Sequence, residues 1–407
     1  MFRRQLFRLY PTTSQEEYFL QCVGAARYAY NWGLALNQRY YRRYGRNCHW
    51  MRLATKWRQI KRTVNRKAWV QDISKIVTSI PLKDLGDAYK RWFSYLNSKK
   101  SGKVARPVRQ PAFKTKAKSR RRFTIADEGR LVRIDRGRIK LPSVGWVATR
   151  SERRWPSAPH KSAAVIERGG YWFLSVLFEL PDPKPEPHTG PSCGIDLGIT
   201  TFATIASEGR AVDEVKPPKP YAKAKRRLRR LQSRLDRMMS GSKNREKSRV
   251  KLGRLHLRVA NIRHDFLHKM SRKVVNTYGM VVLEDLNVAA LSKSHFRKSV
   301  RDLGIAEFRR QVEYKSSETG TRIVIAPRFF PSTKTCSQCG IVNRDVVLGV
   351  VAWDCPSCHA HHHRDHNAAI NLEKLGRGTP KVTPAETGGS GERKRPGAGR
   401  GSRKATL

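Results

Sequence analysis

Three acidic residues occupy positions of the sequence where carboxylates are otherwise unfavourable. Asp196 lies within the apolar stretch 193–199, and aspartate is depleted in strands. Glu284 follows the apolar stretch 279–283, at the end of a predicted strand, where open α/β sheets bind ligands. Asp365 comes just before a segment with helical apolar periodicity. Taken singly, each has a structural explanation as a turn residue, a strand end or a helix cap.

Together, the three carboxylates predict metal-dependent chemistry. If they meet in the fold, their like charges require divalent cations between them. Mg²⁺ takes one or two carboxylates per ion, together with waters and phosphate oxygens. Two such ions about 4 Å apart activate an attacking water and stabilise the leaving 3′ oxygen of a DNA strand. The three residues therefore predict phosphodiester hydrolysis with two catalytic Mg²⁺ ions.

Four of the seven cysteines form two CxxC pairs that are separated by fifteen residues. They are Cys336, Cys339, Cys355 and Cys358. Two such pairs place four thiolates tetrahedrally around Zn²⁺, and the spacing is typical of structural zinc ribbons, so one structural Zn²⁺ is expected. Disulfides are the alternative, and they do not suit the reducing compartment that the odd cysteine count favours. The histidines that follow are interpreted as polar or phosphate-facing, because four cysteines close the site: His359, His361, His362, His363 and His366.

Positive charge dominates the composition. The chain has 84 Lys and Arg residues against 32 Asp and Glu residues, a net charge of +52, and a polyanion relieves the resulting self-repulsion. No stretch approaches the ~18 continuous apolar residues of a membrane span, and the N-terminus lacks the pattern of a signal peptide. Nucleic acid is therefore the expected partner, with no membrane and a cytoplasmic, nucleoid-associated location. A ribosomal-type structural protein is the alternative, although ordered acidic motifs argue against it.

The first half of the chain is predicted to contain a helical block inserted in a β-domain. Phe2–Tyr10 alternates apolar and basic residues and predicts a strand, which Pro11 ends. Ser14 and Glu17 have capping-box spacing, and the pattern is helical from there to about Lys100. In this block an aromatic stripe at residues 88–93 is interpreted as core rather than as a base-stacking platform.

The pattern then changes to period two. Short strands are expected at Arg138–Leu141, 163–167 and Tyr171–Glu179, and they predict a small antiparallel barrel that the opening strand completes. A proline-rich linker follows at residues 181–187.

The second half is predicted to alternate strands and helices. Strands are expected at residues 193–199, 202–206, 279–283 and Arg322–Ala326, and a helix at 305–317. Between the second and third of these strands, leucine-rich seams predict an antiparallel hairpin of two helices, with Leu228 opening one seam and Leu252 the other. The hairpin surface is rich in arginine with little acid, which predicts a phosphate-lined groove. The arginines are Arg226, Arg227, Arg229, Arg230, Arg234 and Arg237.

Three motifs of the sequence resemble those of a RuvC-type, RNase H-like nuclease. They are Gly194-Ile-Asp-Leu-Gly198, Val282-Leu-Glu-Asp-Leu-Asn287 and Arg364-Asp-x-Asn-Ala-Ala369. Because the CxxC pairs precede the third motif, the arrangement is similar to TnpB proteins of insertion sequences and to compact type V CRISPR effectors. The resemblance spans roughly residues 1–375. It departs from the family at His363, where many relatives carry an acidic residue.

The resemblance implies an α/β multidomain fold. An RNase H-like (RuvC) nuclease domain holds an inserted zinc ribbon, and a small β-barrel (wedge) domain holds a helical recognition insertion. The expected boundaries are 1–11 and 101–182 for the wedge barrel, 12–100 for the recognition helices, 187–332 and 361–376 for the nuclease, 333–360 for the ribbon and 377–407 for a basic disordered tail.

The resemblance also implies activity and partners. Asp196, Glu284 and Asp365 would be the catalytic metal-binding triad of a DNA endonuclease. A structured guide RNA from the transposon end would pair with target double-stranded DNA, while the protein reads a short adjacent motif. The alternatives are a guide-dependent repressor that binds without cutting, a compact type V effector, and a transposase or its accessory protein. A repressor should have lost a carboxylate, and this sequence retains all three.

Overall fold

A computed structural model describes most of the chain. The described residues are 1–63, 68–102, 106–117, 119–126, 132–135, 137–150, 156, 158–291, 297–347 and 349–378. The predicted tail therefore lies outside the described residues from position 379 onward. The chain separates into two compact units, the first formed by Met1–Pro183 with Pro220–Ile262, the second by Lys184–Lys219 with the described residues from Arg263 onward. Within the described part, no helix has the length and apolarity needed to span a membrane.

The first unit contains a seven-stranded antiparallel sheet. Its strands are β1 (Phe2–Tyr10), β2 (Arg122–Ala126), β3 (Arg133–Asp135), β4 (Arg138–Leu141), β5 (Gly145–Thr149), β6 (His160–Arg168) and β7 (Tyr171–Glu179). The sheet order is β2-β6-β7-β1-β5-β4-β3, so the opening strand lies in the middle, between β7 and β5. β2 and β3 form the two edges in the described part.

Four helices follow β1 in the first unit. They are α1 (Thr13–Tyr44), α2 (Trp50–Thr63), α3 (Ala68–Gln71) and α4 (Lys75–Lys100). One hydrophobic cluster joins these helices to the sheet, and Tyr89, Trp92 and Phe93 of the aromatic stripe pack in or against it, which confirms the core interpretation.

The predicted start of α1 was wrong by two residues. Thr12, not Ser14, is the N-cap, and its side chain and that of Gln15 form the capping box. Both pairs have the same spacing, so the sequence pattern alone does not separate them. The strand runs to Tyr10, and Thr12 is the residue left in the extended conformation that an N-cap requires.

The predicted helical hairpin is present as α5 (Pro220–Asp236) and α6 (Lys243–Thr277). Leu228, Leu252 and Val259 form its buried seam. Ile262, which continues the seam spacing three residues after Val259, is 40% exposed, whereas Phe266 packs in the second unit. The seam therefore ends where α6 passes from one unit to the other.

The hairpin docks on the sheet within the first unit. A Cβ added to Gly169 in the β6–β7 turn would lie 2.8 Å from the carbonyl carbon of Gly253 in α6. Beside this backbone contact, Arg121 bridges to Glu246 of α6 at 2.8 Å. Only residues without side chains allow the turn and the helix to approach so closely.

The second unit contains a five-stranded mixed sheet. Its strands are β8 (Ser192–Asp196), β9 (Ala203–Ser207), β10 (Arg210–Val215), β11 (Met280–Glu284) and β12 (Arg322–Ala326), in the order β10-β9-β8-β11-β12. β8, β11 and β12 are parallel, and β9 and β10 are antiparallel to their neighbours. The remaining elements are α7 (Val288–Leu291), α8 (Arg297–Leu303), α9 (Ile305–Thr319), β13 (Ala352–Asp354), β14 (His361–His363) and α10 (Arg364–Gly376).

The expected α/β class is confirmed for this unit. Its core lies between the sheet and the helices, with Ile195, Leu283 and Phe308 buried together. β8 ends at Asp196, three residues before the end of the predicted apolar strand, which places the carboxylate at the strand's end rather than inside it.

Candidate active site

Asp196 and Glu284 end neighbouring parallel strands. β8 and β11 pair with Leu283 opposite Ile195, so the next residue on each strand is one of the two carboxylates. Both side chains therefore lie at the carboxyl edge of the sheet, where ligands bind in α/β folds.

Helix α10 brings Asp365 to this edge because it packs directly on β8. A Cβ added to Gly194 would lie 2.1 Å from the carbonyl oxygen of Ala369 and 2.4 Å from the nitrogen of Glu373. The helix backbone thus occupies the space where any other residue has a side chain. Asp365 lies in the first turn of α10, within electrostatic range of Asp196.

The three carboxylates repel one another. Burial raises the pKa of Asp196, and the charges of Glu284 and Asp365 raise it further, to about 8, with Arg364 opposing them. Their oxygens do not all lie within 4.8 Å of one another, because among the described residues only two other groups meet that criterion. The three carboxylates therefore do not offer a single ion one oxygen each within that distance of one another.

Ser332 is a hydrogen-bond partner of Glu284 that the sequence reasoning missed. Its hydroxyl donates to Oε1 of Glu284 at 2.6 Å, and Ser332 is buried. Its carbonyl oxygen accepts from the side chain of Asn371 at 2.8 Å. Ser332 therefore links one carboxylate to the helix that carries another.

Two asparagines of α10 hold the segment that leads into the cysteine cluster. Asn367 and Asn371 each donate to the carbonyl oxygen of Thr335 at 2.7 Å, and Asn367 accepts from the backbone N–H of Ser337 at 2.8 Å. The signal in the sequence was two asparagines four residues apart in a segment with helical apolar periodicity, which places both on one helix face. Because both side chains are buried and hydrogen-bonded to the backbone of residues 335–337, they form an asparagine clamp on this segment.

Asp285 directly follows the last residue of β11 and is the sequence neighbour of Glu284. It pairs with Arg309 at 2.9 Å and with Arg328 at 2.6 Å. Hydrogen bonds from Arg309 and then Arg328 lower its pKa. Asp285 is therefore a carboxylate adjacent to Glu284 in sequence whose charge is matched by two arginines.

The four cysteines converge. Their sulfur atoms all lie within 4.8 Å of one another, with Cys336 and Cys358 3.6 Å apart and Cys339 and Cys355 3.5 Å apart. Ligands about 2.3 Å from a tetrahedral Zn²⁺ lie about 3.8 Å from one another, so the residues fit the ion.

Two of the histidines after the cluster, His361 and His362, make side-chain contacts with neighbouring protein groups. Nε2 of His362 lies 3.0 Å from the sulfur of Cys336, and because a zinc-bound thiolate carries no proton, this nitrogen would donate. His361 pairs with Asp354 at 2.7 Å. His362 is buried, so of the two roles expected from the sequence, polar or phosphate-facing, the phosphate-facing one does not apply to it.

The six hairpin arginines are all exposed on the first unit. Five of them lie on α5, and Arg237 follows its last residue. Their exposure leaves the phosphate-groove prediction open, since no contact of these side chains in the described part identifies a ligand.

Comparison with known sequences gives three family matches. A profile described as "Probable transposase" matches residues 175–295, a "Cas12f1-like, TNB domain" profile matches 306–372, and a "Helix-turn-helix domain" profile matches 1–46. In the structure, residues 1–46 contain a strand and one continuous helix, α1.

Individual proteins are also similar, two of them over most of their length and one over part of it. A Streptomyces pristinaespiralis protein named "Putative RNA-guided DNA endonuclease" is 30% identical over 374 residues, covering 91% of this chain and 88% of the relative. An Escherichia coli K12 relative with the same name and the suffix InsQ is 28% identical, covering 91% of each chain. A mimivirus "TnpB-like protein L79" is 27% identical over 46% of this chain and 37% of the relative.

Proposed function

Because the chain belongs to the TnpB family of RNA-guided DNA endonucleases, we propose that it cleaves target DNA phosphodiester bonds under the direction of a guide RNA. The observation that carries the proposal is the convergence of Asp196, Glu284 and Asp365 at one sheet edge. In the proposed reaction, the guide RNA pairs with the target and the protein reads a short DNA motif beside it.

The proposed chemistry requires divalent ions at the three carboxylates. Asp196, Glu284 and Asp365 would hold two Mg²⁺ ions, which supply the activation of water and the stabilisation of the leaving oxygen. Asp196 must release its proton to bind a cation, since its pKa is raised to about 8. Ser332 orients Glu284 through its hydroxyl, and α10 holds Asp365 against β8.

The proposed architecture follows the family. We propose that the mixed sheet with α10 is an RNase H-like nuclease of residues 187–332 and 361–376, and that residues 333–360 form a structural zinc ribbon. The antiparallel sheet would be the wedge at 1–11 and 101–182, with recognition helices at 12–100. The guide would be a structured RNA from the transposon end, and the target would be double-stranded DNA in a bacterial nucleoid. The net charge of +52 supports polyanionic partners.

The direct test combines co-purification and cleavage. RNA that co-purifies with the protein is sequenced, and a uniform population with one variable end identifies the guide. The complex is then incubated with Mg²⁺ and a plasmid that carries the matching target. Cleavage of this plasmid and not of a mismatched one is expected. Binding without cleavage at any Mg²⁺ concentration would instead identify a guided repressor.

Ser332→Ala is expected to lower the cleavage rate about tenfold or more. The substitution removes a hydrogen bond to a charged group, which contributes about 1.5–3 kcal/mol, and frees Glu284 to move. Ser332→Thr, which retains the hydroxyl, is the matched variant and should recover most of the rate. A positioning role also predicts that the alanine variant needs a higher Mg²⁺ concentration for half-maximal rate. Equal Mg²⁺ dependence in both variants would contradict it.

Cys355→Ser is expected to reduce cleavage more than guide RNA binding. The cluster connects to α10 through the asparagine clamp on residues 332–337, so losing a zinc ligand displaces Asp365 and Ser332 together. Cleavage of the plasmid and guide binding by filter retention are measured on the same preparation. Cys193→Ser, at a buried cysteine outside the cluster, is the control for general destabilisation. Equal loss of cleavage and binding in Cys355→Ser would indicate global unfolding and remove the argument for coupling.

A further inference from the structure

Two histidines beside Asp365 meet a carboxylate on the edge strand of the mixed sheet. Nε2 of His366, in the first turn of α10, hydrogen-bonds the carboxylate of Glu214 on β10. The rings of His363 and His366 lie 4.5 Å apart between centroids. One ligand atom from each of the three residues lies within 4.8 Å of the other two. Among the described residues, the four-cysteine cluster is the other group of metal-ligating side chains that is this close together.

The group has an unsatisfied polar atom. Nδ1 of His363 is buried and has no hydrogen-bond partner in the described structure. A buried ring nitrogen without a partner is unfavourable, and a neutral imidazole nitrogen in that state can serve as a ligand to a cation. Glu214 and His366 remain partly exposed, with 44% and 37% of their side chains accessible, so an ion can enter from solvent.

We propose that Glu214, His363 and His366 form a second metal site, separate from the cysteine cluster and from the three catalytic carboxylates. Two imidazoles and one carboxylate form a mixed nitrogen and oxygen ligand set that suits borderline divalent cations, with Zn²⁺ foremost, rather than Mg²⁺. Ligand atoms at about 2.0–2.2 Å from such an ion lie roughly 3 to 4 Å apart, so small side-chain rotations bring the group into range. Water completes the coordination on the exposed side.

A cation here would join β10 to the beginning of α10. His363 is the N-cap residue of that helix and His366 lies in its first turn, on either side of Asp365. Glu214 lies near the end of β10, the outer strand of the sheet. The site would therefore fix the helix start in addition to the glycine contact with β8. Lys216 contributes a positive charge close to Glu214.

The test measures bound zinc on the full chain with its co-purified RNA. Protein is equilibrated with Zn²⁺, separated from free metal by desalting, and analysed for zinc per chain. We expect two zinc ions for the wild type, one for His366→Asn and one for Glu214→Gln. Cys355→Ser should also lose one ion but keep the site proposed here. Anomalous diffraction at the zinc edge then locates the second ion.

Asp196→Asn is the matched control, because the catalytic carboxylates are the competing location for a second ion. The proposal predicts two zinc ions in this variant. If Asp196→Asn loses the second ion while His366→Asn keeps it, the ion belongs to the catalytic carboxylates and the proposal fails. The proposal also fails if His366→Asn and Glu214→Gln bind as much zinc as the wild type. The contact between His366 and Glu214 would then be a hydrogen bond without a metal ion. Because retention of one zinc in the cysteine cluster reports folding of the second unit, loss of structure is distinguishable from loss of the site.

Discussion

Asp196→Asn is expected to reduce plasmid cleavage by about a thousandfold or more while guide RNA and target DNA binding remain. The amide cannot replace a charged metal ligand, and loss of about 4 kcal/mol of transition-state stabilisation corresponds to this factor. Binding is retained because the exposed basic residues that would contact nucleic acid lie elsewhere. Single-turnover cleavage with saturating Mg²⁺ and a parallel gel-shift assay measure the two effects.

Asp285→Asn is the matched control for this variant. Asp285 is adjacent to Glu284 in sequence, but it pairs with Arg309 and Arg328. We expect its cleavage rate to remain within about tenfold of the wild type. Cutting by Asp196→Asn at a wild-type rate, or comparable losses in both variants, would refute the assigned site.

The same Asp196→Asn substitution is expected to stabilise the protein when no Mg²⁺ is present. The folded-state pKa of Asp196 is about 8, above its ordinary value of 3.8, so the folded protein retains a proton that the unfolded chain releases. Stability is therefore lost as pH rises between these values, and the loss is complete above about pH 8. An amide at this position has no proton to release and carries no such penalty. Because the residue is only partly buried, we expect a gain of about 1–2 kcal/mol at pH 8 and little at pH 4, measured by thermal unfolding in Mg²⁺-free buffer.

Gly194→Ala is expected to destabilise the second unit by about 3 kcal/mol or more and to abolish cleavage. The new methyl group would overlap the backbone of α10 at Ala369 and Glu373, which cannot rotate away as a side chain can. To relieve the overlap, α10 must move off β8, and Asp365 moves with it. Thermal unfolding followed by circular dichroism measures the stability, and plasmid cleavage below the transition measures the activity.

Gly24→Ala is the matched control, with the same chemical change in a helix. A Cβ at Gly24 in α1 would meet Trp69 at 3.4 Å, an ordinary contact. Because alanine is favoured over glycine within helices, this variant should be neutral or stabilising by up to about 1 kcal/mol. Equal melting temperatures for the wild type and Gly194→Ala would show that α10 does not depend on this contact.

Much of the fold followed from local patterns. The bounds of β1, β7 and β12 were predicted to the residue, because alternation in β1 and short apolar runs rich in β-branched or aromatic residues in β7 and β12 are strong local signals. The start of α1 was not predicted to the residue. Two overlapping pairs of residues have capping-box spacing, and the end of the preceding strand decides which pair forms the cap.

The sequence by itself determined the ligand types. Residue type alone indicates which atoms can bind metal: the sulfurs of two CxxC pairs and the oxygens of three carboxylates beside apolar runs. Within each CxxC pair, the short separation lets the local backbone bring the two sulfurs close together. These local signals identified the cysteine cluster that the structure brings together.

Only the tertiary structure decided which distant groups meet. Ser332 reaches Glu284 across 48 residues of sequence, and His366 reaches Glu214 across 152. Neither pair has a local signal, because the contacts depend on how α10 packs against the sheet. That packing in turn depends on Gly194, where the absence of a side chain lets two backbones touch.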